Sequence, residues 1–177
     1  GAQISLMESG EWEIPTGVIR IDEKVSHKIA MNVPMVTKDI QAHMFEHSLE
    51  VQLPFITYLS KEIKIVPIVI LSASVKECRM LGEGIAKAVR DVGYPVIIAA
   101  SSDMSHYVSD EVAKKKDGKA IDRILSLDPE GLYEIVVKEK ISMCGYIPAT
   151  AVLFTAKALG AQSAKLVKYS TSAEVSG

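Results

Sequence analysis

Apolar and polar positions along the chain predict alternating strands and helices. Short apolar, β-branched runs typical of strands cover residues 18–21, 63–71, 95–100 and 165–169. Helices are predicted over residues 22–31, 46–60, 74–91 and 148–159, and two more open at Ser109 and Asp128. This order predicts an α/β fold, layered α/β/α, with a mostly parallel or mixed central sheet.

Prolines and glycines set the expected boundaries of these elements. Pro15-Thr16-Gly17 is typical of a turn. Pro54 falls inside the 46–60 helix, where a distortion or a boundary is expected. Pro67 removes a ladder donor from the 63–71 strand, which is therefore bulged or at an edge. Gly93 and Gly160 end the helices that precede them.

Composition narrows the classes of protein that the chain can belong to. The 177 residues suit one domain over 1–177, and a net charge of −2 gives no electrostatic case for nucleic acid or an anionic membrane. Since no apolar run reaches the ~18–20 residues of a bilayer span, no membrane partner is expected. Cys78 and Cys144 form no CxxC pair, which argues against a disulfide framework and favours a cytoplasmic protein.

The segment Ser101–Tyr107 is the strongest candidate for a site. It follows the predicted buried strand 95–100, and chemistry in open α/β sheets collects at the carboxyl ends of strands. His106 can ligate a metal or move a proton, and Asp103 can orient it. In the alternative, structural interpretation, Asp103 caps the following turn and His106 donates to a backbone carbonyl.

Two further positions carry candidate chemistry near predicted helix starts. Cys144 comes just before the helix that Pro148 can open, where a thiolate is stabilised as a ligand or nucleophile. The alternative is a small buried hydrophobe, which is also the expectation for Cys78. His43 and His47 give an HxxxH spacing that suits a metal pair, but His43 is expected to be a surface residue.

Glu46 and His47 begin the predicted 46–60 helix, with Glu50 one turn further on. Their spacing places Glu50 on the same face as either residue. The pattern is not HExxH, so the zinc-protease interpretation fails. A favourable position at the positive end of the helix dipole is the structural alternative for Glu46.

A serine hydrolase is a weaker alternative for the 101–107 segment. Ser101, Ser102 or Ser105 would have to act with His106. Because the G-x-S-x-G elbow that exposes such a nucleophile is missing from the sequence, this function is disfavoured.

Several separated blocks together make the chain resemble the Memo family, which includes protein B of the AmmeMemoRadiSam group. The blocks are Gly10-Glu11-Trp12-Glu13-Ile14-Pro15-Thr16-Gly17, Glu46-His47-Ser48-Leu49-Glu50-Val51-Gln52-Leu53-Pro54-Phe55, Ser101-Ser102-Asp103-Met104-Ser105-His106-Tyr107, Leu127-Asp128-Pro129-Glu130-Gly131 and Met143-Cys144-Gly145-Tyr146-Ile147-Pro148. They occur in the family's order and span essentially the whole chain.

The resemblance implies a fold similar to LigB-like class III extradiol dioxygenases, whose site holds a non-haem iron. It implies that Cys144 and His106 ligate iron or copper and that Asp103 assists His106 in acid–base chemistry. Glu46, His47 and Ser102 would line the same pocket. A redox role with an unidentified small-molecule substrate follows. The alternative is a non-catalytic module that binds a protein or peptide through a vestigial metal pocket.

The family's Pro-His-Ala-Gly and Gly-Pro-x-His motifs do not occur in this sequence. The chain is therefore expected to lack an N-terminal segment and a final C-terminal strand of the family's domain. The metal site of this chain is accordingly expected to be incomplete, with weakened iron or copper binding, because each ligand contributes strongly to affinity.

Overall fold

The computed structural model describes residues 3–60 and 62–176, and the chain divides into two compact units, Gly1–Ile97 and Ile98–Gly177. The first unit contains β1 (Ile4–Leu6), β2 (Glu11–Ile14), β3 (Gly17–Arg20), α1 (Glu23–Asn32), β4 (Thr37–Lys38), α2 (Leu53–Leu59), β5 (Ile68–Ile70) and α3 (Val75–Val92). The second contains α4 (Asp110–Leu125), α5 (Pro129–Lys138), α6 (Tyr146–Ala158) and α7 (Ala173–Ser176). This mixture of helices and strands confirms the α/β class.

The sheet of the first unit is built around a buried central strand. β1 pairs in parallel with β4 and antiparallel with β5, so the three-stranded sheet is mixed. β5 lies at the edge, as expected for a strand that follows Pro67. β2 and β3 form a separate antiparallel hairpin across the predicted Pro15-Thr16 turn, and Ile14 and Ile19 pack there with Leu53 of α2.

The helix starts predicted from capping residues are confirmed. Asp22 accepts a hydrogen bond from the Val25 amide at the start of α1. Ser74 and Glu77 form a full capping box at the start of α3, and Gly93 ends that helix at φ +79°. The last carbonyl groups of a helix find hydrogen-bond donors when the chain turns through a left-handed residue. Glycine adopts that conformation at a low cost in free energy. α1 and α3 pack against one another.

The second unit has a helical core that supports the candidate site. Ser109 caps α4 and Asp128 caps α5, each with its side-chain oxygen. α5 packs against both α4 and α6. The buried cluster between them consists of Ala120, Leu132, Val136, Ile141, Met143 and Leu153. In the described part of the chain, none of the helices combines the length and apolar character of a membrane span.

The helix predicted over 46–60 is wrong in its first half. α2 begins at Leu53 with Pro54 in its first turn, and a 3-10 turn over Glu50–Gln52 precedes it. Proline has no N–H and its ring clashes with the preceding turn, so it opens a helix more readily than it continues one. The helical facing expected of Glu46, His47 and Glu50 therefore does not hold.

The strands predicted over 95–100 and 165–169 are also wrong. Neither range forms a β-ladder within the described residues. Ile97 is 95 % exposed, although its sequence neighbours suggested a buried strand. A strand depends on a hydrogen-bonding partner that the local sequence does not reveal.

Candidate metal centre

The segment 141–144 presents a thiol at the surface because its side chains alternate in burial. Ile141 and Met143 are 5 % and 4 % exposed and belong to the core cluster of the second unit. Ser142, which lies between them, and Cys144, which follows Met143, are exposed. Packing of the apolar pair therefore fixes the direction of Ser142 and Cys144.

The segment Ser101–Tyr107 is anchored by the two residues that lie between Asp103 and His106. Met104 packs against the same core cluster. The Ser105 amide donates to Asp117 Oδ1 of α4 over 3.0 Å. Asp103 is exposed and His106 is half-buried. Tyr107 has φ +56°, a left-handed conformation that costs free energy for a bulky residue and turns the chain away after His106.

His106 is held by Ser142 through three hydrogen bonds. The His106 amide donates to Ser142 Oγ over 2.7 Å, and Ser142 Oγ donates back to the His106 carbonyl over 3.1 Å. The ring Nδ1 lies 2.7 Å from the Ser142 carbonyl oxygen. Since a carbonyl oxygen only accepts, Nδ1 carries the proton, and Nε2 of a neutral ring keeps its lone pair.

Cys144 is tied to the 101–107 segment by its sulfur and by the next residue. The Asp103 amide donates to Cys144 Sγ over 3.2 Å. The Gly145 amide donates to Ser102 Oγ over 2.8 Å. A Cβ at Gly145 would overlap the Ser101 carbonyl oxygen and lie 2.5 Å from Ser102 Cβ, so the two segments approach too closely for a larger residue.

These contacts bring three ligand-type side chains together. One ligand atom each from Asp103, His106 and Cys144 lies within 4.8 Å of the others, and this is the one such group in the described part of the chain. His106 Nε2 lies 3.4 Å from Asp103 Oδ2. With Nδ1 protonated, Nε2 and a carboxylate oxygen are two acceptors facing each other, an arrangement that a shared proton or a metal cation stabilises.

The donor set therefore fits a transition metal. Thiolate and imidazole suit iron, copper and zinc, and the carboxylate adds an anionic oxygen. The carbonyl that holds Nδ1 is the kind of outer partner that orients metal-bound histidines. The ring therefore satisfies a carbonyl, as the structural interpretation of His106 expected, and that contact leaves Nε2 free to bind a ligand.

The Ser102 hydroxyl is engaged in hydrogen bonds with backbone groups. Its Oγ donates to the Asp103 carbonyl over 2.8 Å and accepts from the Gly145 amide. The Ser105 Oγ is buried and makes no hydrogen bond within the described residues. Neither hydroxyl is activated as a hydrolase nucleophile would be, which weighs against the serine hydrolase interpretation.

Glu46 and His47 lie in the first unit, where Glu46 organises a turn. Its Oε1 accepts from the amide and the hydroxyl of Ser48, and its Oε2 accepts from the Leu49 amide over 2.9 Å. The carboxylate thus satisfies the backbone of the chain that follows it. A pocket-lining role for Glu46 and His47 stays a prediction.

His43 is buried, which makes the surface expectation wrong. It is 6 % exposed, with Nδ1 donating to the Asp39 carbonyl over 2.9 Å. Its ring meets Trp12 edge-on at 6.3 Å between ring centroids. The 3-10 turn over Gln41–His43 ends before His47, so no helix aligns the HxxxH pair. His43 acts here as a core residue because the fold, not the helical period, decides its burial.

Sequence reasoning missed Ser142 and Asp117. Asp117 is 2 % exposed on the buried side of α4, with Ala113 and Ala120 at helical spacing on that side. A carboxylate in an apolar stripe is a signal for a buried partner. For Ser142 the signal was the alternation of apolar and polar residues over 141–144.

Known proteins match this chain over its whole length. A family model described as "Memo-like protein" matches residues 1–177. MEMO1 family proteins of Pyrobaculum aerophilum, Saccharolobus solfataricus and Methanothermobacter thermautotrophicus are 41 %, 38 % and 34 % identical over 100 % of this chain. The chain spans 63 %, 63 % and 64 % of their lengths. From the family match, and from relatives that carry the same family name, this chain belongs to the Memo family.

Proposed function

We propose that this Memo family chain contributes a cysteine, a histidine and an aspartate to an iron or copper site with a redox role. The observation that carries the proposal is the convergence of Cys144 Sγ, a ring nitrogen of His106 and an Asp103 oxygen within 4.8 Å. Since the chain covers less than two thirds of its relatives' length, further ligands and the substrate are matters for the whole protein.

Each residue has a role that its contacts support. Cys144 and His106 would hold the metal, because their sulfur and Nε2 are the softest donors of the group. Asp103 would orient His106 or hold a proton on a bound small molecule, since its carboxylate faces Nε2 at 3.4 Å. When bound, the metal would supply the one-electron chemistry that these side chains lack.

The LigB-like dioxygenase fold, the single domain over 1–177 and the cytoplasmic location remain proposals. They come from the resemblance and the composition, and the α/β class is compatible with them. A small-molecule substrate, rather than nucleic acid or a membrane, suits the solvent-accessible triad and the net charge of −2.

Elemental analysis of full-length protein prepared without chelator and without oxygen tests the proposal. Cys144→Ala and His106→Ala should each lower bound iron or copper by about tenfold or more. Cys78→Ala and His27→Ala are matched controls, because Cys78 is buried in α3 and His27 pairs with Glu8 on the surface. Metal stoichiometry unchanged in both site variants would refute the function.

A second candidate function is the non-catalytic interaction module. Large exposed apolar side chains on the first unit favour it, including Phe45, Phe55, Tyr58 and Leu59, which are 93 %, 72 %, 90 % and 79 % exposed. Such side chains are common at protein-interaction surfaces. A full-length protein that holds no metal, yet binds a peptide saturably, would support this function over the first.

A further inference from the structure

The carboxylate of Asp117 is buried and fully engaged. Its residue is 2 % exposed, and burying an unpaired carboxylate would be strongly unfavourable. Oδ1 accepts from the Ser105 amide over 3.0 Å, and Oδ2 accepts from the Tyr169 hydroxyl over 2.7 Å. One side chain of α4 therefore joins two segments that are 64 residues apart in sequence.

One of these segments is the loop that carries two of the three ligands. Ser105 immediately precedes His106 and comes two residues after Asp103. The Ser105 amide is thus a fixed point between the imidazole and the carboxylate. Met104, packed on the core cluster, gives a second fixed point beside it. Movement of Ser105 would change the distance from His106 Nε2 to Cys144 Sγ.

The other segment lies along the N-terminal half of α4. Beyond Tyr169, Thr171 donates to Asp110 over 2.6 Å, and Lys114 pairs with Asp110 at 2.8 Å and Glu174 at 3.4 Å. Burial and the neighbouring Asp117 raise the pKa of the Tyr169 hydroxyl, so it remains a donor. Residues 169–174 are therefore held on the helix that carries Asp117.

We propose that Asp117 is a positioning residue of the metal centre, which couples the Asp103–His106 loop to the segment 169–174. The inference rests on the proposed function for its effect on metal affinity. The positioning of the Asp103–His106 loop does not rest on that function, because the buried carboxylate fixes the loop whether or not metal is bound.

The test compares Asp117→Asn and Tyr169→Phe with wild type in the full-length protein. Co²⁺ is the probe, because a thiolate ligand gives it a charge-transfer absorption that reports on Cys144. Asp117→Asn should weaken Co²⁺ binding by about 10–100-fold, the effect typical of outer partners of metal ligands. Tyr169→Phe should act in the same direction with a smaller change, since it removes one hydrogen bond and no charge.

Amide hydrogen exchange in the metal-free proteins gives the second readout. In Asp117→Asn the Ser105 and Asp103 amides should exchange faster by about tenfold or more, with α5 unchanged. Asp128→Ala is the control: it removes the cap of α5 and lowers thermal stability, but should leave Co²⁺ affinity and the Ser105 amide unaffected.

The outcomes separate the two proposals. Wild-type protein that shows no thiolate–Co²⁺ absorption would refute the metal function, and the exchange rates would still decide the role of Asp117. If the Ser105 and Asp103 amides of Asp117→Asn exchanged hydrogen at the wild-type rate, the inference would be overturned. If that variant does not fold, the same result in Tyr169→Phe overturns it.

Discussion

The segments 46–49 and 101–107 both place a carboxylate near a histidine, but they use the carboxylate in opposite ways. Glu46 turns its oxygens back on the chain and accepts hydrogen bonds from Ser48 and Leu49. The Asp103 side chain is 84 % exposed and faces His106 Nε2. The backbone around Asp103 is instead held by other elements, through Asp117 and Ser142.

The difference teaches what frees an acidic group for chemistry. Free amide groups near a chain reversal need a hydrogen-bond acceptor. A carboxylate that accepts from the amides of its own turn is therefore not available to a ligand. When side chains from elsewhere satisfy the turn, the carboxylate remains available to a ligand. The availability of Asp103 is therefore a property of the whole second unit.

The largest effect is expected where the two site segments meet. Gly145→Ala would push a methyl group into the Ser101 carbonyl and against Ser102 Cβ, so the backbone must move. We expect a loss of about 1–3 kcal/mol in the free energy of unfolding, together with weaker Co²⁺ binding. Urea denaturation and cobalt titration measure the two losses.

Gly118→Ala is the matched control for that substitution. A Cβ at Gly118 meets nothing within 4 Å, and the residue lies within α4. This variant should gain roughly 0.5–1 kcal/mol, because alanine favours the helix. Equal stability changes at the two glycines would show that close approach at Gly145 is not a constraint.

A smaller effect separates the two carboxylates directly. Glu46→Ala should cost about 1 kcal/mol of stability, since three hydrogen bonds to its turn are lost. Asp103→Ala should change stability by no more than about 0.5 kcal/mol, the usual range for an exposed side chain. Thermal or urea unfolding measures both changes, and a larger loss of stability in Asp103→Ala than in Glu46→Ala would contradict the comparison.

The last effect vanishes near neutral pH and concerns the thiol that is not part of the candidate site. Burial raises the pKa of the Cys78 thiol from 9.0 to about 11, with Glu77 adding to the shift. The folded state therefore keeps a proton that the unfolded chain releases, and stability should fall as the pH rises from about 9 to about 11.

Cys78→Ala should remove this component of the pH dependence, as followed by urea unfolding at several pH values. A thiol reagent gives a second measurement: exposed Cys144 should react in the folded protein, and Cys78 only on unfolding. Rapid reaction of two thiols in folded protein would contradict the assigned burial.

Local signals account for what could be predicted. Caps at Asp22, Ser74, Ser109 and Asp128 act within one turn, so the sequence alone locates those helix starts. The ranges 95–100 and 165–169 suggested strands because they are apolar and β-branched. Strand formation depends on a partner at a distance, and no local pattern specifies one.

The residues of the candidate site could be picked out from the sequence, but the residues that support them could not. Asp103, His106 and Cys144 were recognised because their chemistry is uncommon and their blocks resemble a family. Ser142 and Asp117 escaped notice because serine and aspartate are ordinary residues whose roles come from tertiary contacts. Their positions in alternating and helical apolar patterns were the available signals.

The alternation over 141–144 has a consequence for how the protein can fail. Ile141 and Met143 enter the core on one side, while Ser142 and Cys144 face outward. A shift of this segment by one residue would bury the serine and the thiol and expose both apolar side chains. Such a chain would lose its core packing and its exposed thiol together, so a single error in this segment would damage both the stability of the unit and the candidate site.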